Sequence, residues 1–105
     1  MVSDGYTTVA KVGEIPVDGV KVVRLDGVPV AVFHLDDGYH AIEDVCTHDG
    51  GPVASGCLEG GIIECPRHGA RFDVRTGRVV QLPATSPVPV YEVRVSGDDI
   101  QVRWS

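Results

Sequence analysis

Two short motifs, each with one cysteine and one histidine, constrain this chain more than any other feature of its sequence. The first is Cys-x-His at residues 46–48, and the second, after sixteen intervening residues, is Cys-x-x-His at residues 65–68. Thiolate sulfur and imidazole nitrogen are common metal ligands in proteins. The chain must therefore fold so that two loops meet at one point and present these candidate ligands: Cys46, His48, Cys65 and His68.

Two kinds of metal centre use two cysteines and two histidines. One is a single tetrahedral zinc ion, and the other is a [2Fe–2S] cluster in which two histidines replace two cysteines on one iron. Finger-type zinc sites pair cysteine with cysteine and histidine with histidine along the sequence, whereas here each motif supplies one of each. This spacing favours the cluster, with Cys46 and Cys65 on an inner iron and the two histidines on an outer iron near the surface. A structural zinc site is the alternative.

The rest of the chain predicts β-strands. Valine is abundant and strong helix formers are scarce, while thirteen glycines and seven prolines imply frequent turns. Asp26-Gly27, between two valine-rich runs, is a typical two-residue hairpin turn. The predicted strands are residues 6–12, 20–25, 28–35, 39–43, 61–65, 71–74, 78–81, 90–95 and 100–104. About ten short strands with regular turns predict an all-β fold, an antiparallel sandwich or barrel.

One domain is expected from the length of 105 residues, which lies near the commonest domain size. Residues 44–60 are rich in glycine and show neither helical nor strand periodicity, so they are predicted to be loop. The segment of about residues 44–83 holds both motifs and is interpreted as an insertion between two strands of the main sheet. We therefore expect a single domain, residues 1–105, with a small metal-binding lobe at about 44–83.

The net charge of −6 argues against binding to nucleic acids or anionic membranes, because both require a basic surface. No apolar run approaches the ~18 residues of a membrane span, and the polar start of the chain does not resemble a signal peptide. A cytoplasmic location is therefore expected, where cysteines serve as metal ligands or free thiols. Four arginines near the second motif form either a solvated face or a docking rim: Arg67, Arg71, Arg75 and Arg78.

Several chemically versatile residues outside the motifs are expected to be structural. His34 and His40 are lone histidines in strand patterns. Cys57, the third cysteine, falls outside both motif spacings and is predicted to be a small buried or half-buried thiol rather than a ligand. Tyr91 and Trp104 lie on the last two predicted strands, and we expect them to pack on the sheet rather than to relay electrons.

The two motifs and their flanks resemble the Rieske family, whose signature is Cys-x-His, an interval of about sixteen residues, and Cys-x-x-His. The similarity extends to residues 43–45, residues 70–77 and the proline-containing segment 82–84. Within the family, the chain is similar to the small Rieske ferredoxins of bacterial aromatic-ring-hydroxylating dioxygenase systems. The resemblance implies a Rieske-type antiparallel β sandwich or barrel, an inserted cluster-binding lobe and one [2Fe–2S] cluster per chain.

The resemblance also implies a function in aromatic hydrocarbon catabolism. The chain would carry one electron from an FAD-dependent ferredoxin reductase to a terminal Rieske oxygenase. A monomer is the default expectation, which the sequence itself does not fix. The chain would not be an enzyme, because a Rieske cluster has no open position for a substrate and catalysis in this family needs a separate mononuclear iron. Only His34 and His40 remain for such an iron, and their spacing does not suggest it. The alternatives are a Rieske small subunit of a nitrite-reductase-like enzyme and a zinc-binding interaction module.

Departures from other branches of the family bear on the redox potential. Respiratory-chain Rieske proteins carry two further cysteines that join the loops, and Gly50 and Arg67 take their places here. Ala70 and Phe72 stand where those proteins have a serine and a tyrosine whose hydroxyls hydrogen-bond to the cluster sulfurs. Since such hydrogen bonds raise the potential, the resemblance implies a value near the low end of the Rieske range, which is roughly −150 to +300 mV.

Overall fold

The structure is a computed structural model, and it describes residues 5–104. This part of the chain contains ten β-strands and no helix. Among these residues there is therefore no helix long and apolar enough to span a membrane. The strands are β1 (Thr7–Lys11), β2 (Val20–Leu25), β3 (Val28–Leu35), β4 (Gly38–Glu43), β5 (Leu58–Glu59), β6 (Ile62–Glu64), β7 (Arg71–Asp73), β8 (Val79–Gln81), β9 (Val90–Ser96) and β10 (Asp99–Trp104).

Six of the strands form one large sheet that curls into a nearly closed barrel. Their order is β1-β10-β9-β4-β3-β2, and every neighbouring pair is antiparallel. The two outer strands approach each other, since Lys21 Nζ of β2 donates a hydrogen bond to the Val9 carbonyl of β1 at 2.9 Å. The other four strands form a small antiparallel sheet in the order β5-β6-β7-β8. This small sheet is inserted between β4 and β9 of the barrel.

Strand β3 separates two hydrophobic cores, because its side chains alternate between the two faces of the large sheet. Val30 and Val32 lie in the barrel core together with residues of β1, β4, β9 and β10. Phe33 and Leu35 lie in a second core between the barrel and the small sheet, which also contains both motif cysteines. Residues 30–33 have no solvent exposure. Burial on both faces explains why this strand is almost continuously apolar instead of alternating.

The prediction of an all-β antiparallel fold is confirmed, and each of the nine predicted strands agrees with an observed one to within one residue at either end. Strand β5, however, contradicts the prediction that residues 44–60 are entirely loop. A two-residue strand is too short to show periodicity. Its signal is the Gly60-Gly61 turn, in which both φ angles are positive, 59° and 83°, as a tight hairpin requires. The small sheet lies within the proposed lobe of about residues 44–83, and the single-domain assignment stays a prediction.

An ion pair outside the two motifs joins the small sheet to the barrel. Arg75, in the turn between β7 and β8, donates from Nε to Asp37 Oδ2 at 2.9 Å in the turn between β3 and β4. The other carboxylate oxygen of Asp37 lies 3.0 Å from His40 Nε2. Hydrogen bonds from Arg75 and His40 lower the pKa of the Asp37 carboxyl from its ordinary value of 3.8 to about 2. Asp37 is therefore ionised at neutral pH and anchors the small sheet to the barrel.

Candidate metal centre

The two motifs lie on two loops that have the same pattern of backbone hydrogen bonds, called here the backbone frame. Ligand loop 1 (residues 46–51) follows β4, and ligand loop 2 (residues 65–70) joins β6 to β7. In each loop the cysteine N–H donates to the carbonyl five residues later, at 2.6 Å in loop 1 and 2.7 Å in loop 2. The glycine four residues after each cysteine, Gly50 or Gly69, donates to the cysteine carbonyl at 2.7 or 3.1 Å respectively. Two different sequences therefore form the same tight turn.

The same two glycines also share a backbone conformation. The φ angle is 78° at Gly50 and 77° at Gly69, in the left-handed region that glycine adopts without steric cost. A Cβ added at either position would meet no atom within 4 Å, so the backbone angle requires glycine and the available space does not. The spacing Cys-x-x-x-Gly occurs in both loops and is a sequence signal for their common turn. This signal was missed because only the spacing of the ligands was compared.

Both cysteine sulfurs are buried at the base of the loops, with Cys46 0% and Cys65 1% exposed. In each loop, the N–H groups two and three residues after the cysteine act to lower the pKa of its thiol. Burial raises the pKa of the Cys46 thiol. Burial acts in the same direction on Cys65, but its two N–H donors, the Cys46 side chain and the Arg67 charge bring the pKa of this thiol below its usual value. Fixed N–H donors can thus stabilise negative charge on buried sulfur, as a metal-bound thiolate requires.

The two imidazoles lie at the surface, where His48 and His68 meet edge to face with ring centroids 4.9 Å apart. The potential ligand atoms form two groups, and within each group all atoms lie within 4.8 Å of one another. One group holds the two thiols and the other the two imidazoles, while Asp49 belongs to both. An inner pair of thiols and an outer pair of imidazoles fit the two differently ligated irons of a [2Fe–2S] cluster. A single zinc ion needs four ligands converging on one point.

Two polar side chains that sequence reasoning missed hold ligand loop 1 and the segment after it in place. Asp44 is 8% exposed, and its Oδ1 accepts hydrogen bonds from the N–H groups of Val53 and Ala54, each at 2.8 Å. Thr47 Oγ1 donates to the Ser86 carbonyl at 2.6 Å and so connects loop 1 to the segment before β9. Neither residue is a ligand in the expected spacing. An aspartate beside a glycine-rich loop is nevertheless a frequent acceptor for loop N–H groups, and this was the available signal.

The arginines near the second motif are largely balanced by neighbouring carboxylates. Three of the four form ion pairs: Arg67 with Asp49, Arg71 with Glu64, and Arg75 with Asp37. Each of these pairs links segments that are distant in sequence or adjacent in the small sheet. The arginine run therefore contributes local cross-links, and its charge is less available to a partner than the sequence alone implies.

Cys57 is exposed, which corrects the prediction that it is a buried or half-buried thiol. The neighbouring Leu58 packs against the second core. Because side chains alternate along a strand, Cys57 and Glu59 on either side of it point outward. Cys57 belongs to neither group of potential ligand atoms among the described residues.

His34, Tyr91 and Trp104, which were expected to be structural, make contacts outside the two ligand groups. His34 Nδ1 is 2.7 Å from the Ile15 carbonyl. Trp104 is 58% exposed and meets the mostly buried Tyr91 edge to face, with ring centroids 4.9 Å apart. Phe72 is fully buried in the second core, which also contains the cysteine of ligand loop 2. These contacts give each side chain a packing or hydrogen-bonding role in the fold.

Comparison with known proteins identifies the family. The family model described as Rieske [2Fe-2S] domain matches residues 5–92. Over 101 residues the chain is 36% identical to the biphenyl dioxygenase ferredoxin subunit of Pseudomonas sp. (strain KKS102), a match that covers 95% of this chain and 93% of that protein. The chain therefore belongs to the Rieske [2Fe–2S] family, and its cofactor is a Rieske cluster.

Solved structures agree with this assignment. The ferredoxin of carbazole 1,9a-dioxygenase from Nocardioides aromaticivorans IC177 is 33% identical, with a TM-score of 0.91, and the match covers 97% of this chain and 100% of that one. A chain in a complex of reduced oxygenase and oxidized ferredoxin of carbazole 1,9a-dioxygenase is also 33% identical, with a TM-score of 0.90 and coverage of 96% and 94%. The relatives are ferredoxin components, so the protein is an electron carrier and not itself an enzyme.

Proposed function

We propose that this protein carries single electrons from an FAD-dependent ferredoxin reductase to the terminal Rieske oxygenase of an aromatic-ring dioxygenase system. One observation carries the proposal: two loops with the same backbone frame place a pair of buried thiols beside a pair of exposed imidazoles. The proposed cluster ligands are Cys46, His48, Cys65 and His68. When bound, the [2Fe–2S] cluster supplies a site that gains and loses one electron.

The four ligand side chains have different roles in this proposal. Cys46 and Cys65 anchor the centre to the second core, and the backbone N–H groups that face their sulfurs offset negative charge there. His48 and His68 are neutral ligands, which makes reduction easier than it is with four thiolates. Because their rings are exposed, they also give an electron a direct path from the centre to the protein surface.

The surface around the two imidazoles is the proposed docking face. It consists of His48, His68, residues 50–52, Pro66, Arg67 and Pro83. Leu82, which precedes the last of these, is 69% exposed and adds apolar area. Since Asp49 balances the Arg67 charge, we propose that apolar and imidazole contacts contribute more to docking than a basic patch does. The similarity to a chain in an oxygenase–ferredoxin complex supports an oxygenase as one partner.

Reconstitution tests both the partner and the docking face. The reduced protein is mixed in a stopped-flow instrument with the purified oxygenase of a biphenyl or carbazole dioxygenase system, and reoxidation of the cluster is followed by its visible absorption. Leu82→Glu is expected to slow transfer. The control is Val95→Glu, which adds the same charge at a position that is 51% exposed on β9. Equal slowing by both variants would remove the docking face, and transfer to neither oxygenase would count against the proposal.

The ligand assignment is tested by the metal content of anaerobically purified protein. We expect about two iron and two acid-labile sulfide per chain, with a Rieske-type EPR signal after reduction. Stoichiometric zinc without sulfide would instead support the zinc-binding interaction module. The remaining alternative is a Rieske small subunit of a nitrite-reductase-like enzyme. It would be supported if a flavin reductase reduced the protein and only a nitrite-reductase-like catalytic subunit oxidised it.

We also propose that the carrier is a monomer in the cytoplasm. A carrier that meets two partners in turn must leave its docking face uncovered between encounters, and a monomer does this without dissociating first. Light scattering after size-exclusion chromatography measures the mass directly, and cell fractionation locates the protein. A dimer that buries the imidazole surface would contradict the proposal.

A further inference from the structure

The two ligand loops are joined across their tips by an ion pair. Arg67 of loop 2 donates from Nε to Asp49 Oδ2 at 2.5 Å and from Nη2 to Asp49 Oδ1 at 3.0 Å. This two-point contact matches the planar guanidinium to the carboxylate and fixes their orientation. The Arg67 side chain is 34% and the Asp49 side chain 20% exposed, so both are partly covered by the loops that they connect.

The ion pair occupies special positions in the shared frame. Counted from the cysteine, the second and third residues are His48 and Asp49 in loop 1, and Arg67 and His68 in loop 2. Each loop thus devotes one of these positions to a histidine and the other to a charged residue, in opposite order. The charged residues meet across the gap, while the imidazoles approach each other edge to face.

Neighbouring groups prepare both partners for this contact. The Gly51 N–H donates to Asp49 Oδ1 at 2.9 Å and orients the carboxylate. A Cβ added at Gly51 would lie 2.7 Å from Arg67 Nη2 and 2.8 Å from Cζ, so the lack of a side chain there leaves room for the guanidinium. The hydrogen bond from Arg67 holds the pKa of the Asp49 carboxyl well below its usual range.

We propose that Asp49 and Arg67 form an ion-pair clasp that fixes the spacing of the two ligand loops and the relative orientation of His48 and His68. The proposal rests on the ligand assignment made above, and it makes Asp49 and Arg67 positioning residues. Opening the clasp separates the loop tips and gives water and chelators access to the buried sulfurs. Because salt weakens the attraction between partly exposed charges, retention of the cluster should fall as ionic strength rises.

The clasp is tested by the rate at which the holoprotein loses its visible cluster absorption in the presence of an iron chelator, at low and at high salt. Arg67→Gln is expected to release the cluster about threefold to fivefold faster than the native protein at low salt, and its rate should no longer depend on salt. Arg67→Lys keeps the charge without the two-point contact and should give an intermediate rate. The g values of the reduced Arg67→Gln protein should also shift, since the imidazoles are no longer held in one orientation.

A double-mutant cycle adds the partner residue. Asp49→Asn preserves the acceptor for the Gly51 N–H but removes the charge, and combining it with Arg67→Gln should release the cluster no faster than either single change. Arg75→Gln is the matched control, because Arg75 is also 34% exposed and its ion pair lies outside both ligand loops. This variant should keep the native g values and release rate.

Two results would overturn the clasp. One is a native release rate in Arg67→Gln, and the other is a double variant whose effect is the product of the two single effects. If native protein lacked iron and sulfide, the ligand assignment itself would fail, and that result is measured before any variant is made. Thermal unfolding followed by far-UV circular dichroism shows whether each variant is folded, and Arg67→Lys provides the comparison if Arg67→Gln is not.

Discussion

Ligand loops 1 and 2 have the same backbone hydrogen bonds but different supports. Loop 2 connects two strands of the small sheet directly, so the ladder between β6 and β7 holds both of its ends. Loop 1 is followed by residues 52–57, which contain no strand. Side-chain hydrogen bonds hold this region instead: Asp44, just after β4, accepts from the N–H groups of Val53 and Ala54, and Thr47 of loop 1 donates to the segment before β9. The backbone conformation around each cysteine is therefore set by local hydrogen bonds. The position of loop 2 in the molecule is set by the small sheet, whereas that of loop 1 is set by side-chain hydrogen bonds.

The largest expected effect tests whether the two loops are equivalent. Cys46→Ser and Cys65→Ser should each abolish the cluster, because a hydroxyl is a poor replacement for a thiolate on iron. Iron and acid-labile sulfide analysis measures the loss. Cys57→Ser is the control, and it should retain the full content because Cys57 lies outside both ligand groups. Retention of the cluster in only one of the two ligand variants would show that the loops contribute unequally.

The next effect should be confined to loop 1 and the segment that follows it. Asp44→Ala leaves the N–H groups of Val53 and Ala54 without their acceptor, and we expect a loss of roughly 2–4 kcal/mol in the free energy of unfolding. Asp44→Asn keeps an oxygen acceptor and should lose much less. Urea unfolding measures the loss of stability, and amide hydrogen exchange shows which residues lose protection. If protection fell in loop 2 as much as at residues 53 and 54, the separate support of loop 1 would be wrong.

A smaller effect should be equal in the two loops. Gly50→Ala and Gly69→Ala each force a side chain into the left-handed region, which costs about 1–2 kcal/mol. Since neither new methyl group meets a neighbouring atom, backbone strain is the whole cost, and it should be the same at both sites. Urea unfolding of the two variants side by side is the measurement. Different losses would mean that the loops do not share one frame.

The smallest effect concerns the redox potential and involves loop 2 alone. The carbonyl of the buried Ala70 accepts the Cys65 N–H at 2.7 Å, so Ala70→Ser would place a hydroxyl beside Cys65, a proposed cluster ligand. A hydrogen bond from it to sulfur should raise the midpoint potential by roughly 50 mV, since 59 mV corresponds to 1.4 kcal/mol for one electron. Ala31→Ser, on β3 in the same core, is the control for burying a hydroxyl. An unchanged or lower midpoint in voltammetry would contradict the argument.

The sequence predicts the strands well because turn residues divide the chain so clearly. Asp26-Gly27 sets the register between β2 and β3, and their bounds agree with the prediction at every end. The four candidate ligands are likewise predictable, since their residue types and spacing are visible directly. Strand β5 and the exposure of Cys57 are not, because two residues carry no periodicity and because burial depends on which neighbour packs against the second core.

The supports of the site are less predictable than its ligands. Asp44, Thr47 and the Asp49–Arg67 pair all act across gaps in the sequence, between nine and thirty-nine residues apart. Their partners are often backbone groups, which have no residue identity to recognise. The position of Arg67 in the second motif fits either a solvated face or a docking rim, and its ion pair with Asp49 depends on the tertiary approach of the two loops.

The two-sided burial of β3 has a consequence for engineering. A redox cassette cut from the chain at about residues 44 and 83 and grafted onto another scaffold would leave behind the wall against which it packs. Ala31, Phe33, Leu35 and Ile42 of the barrel belong to the same core as both cysteines. A portable version must carry that face of β3 and β4 with it, or the recipient scaffold must reproduce it. The insert is contiguous in sequence, but the unit that can be transplanted is not.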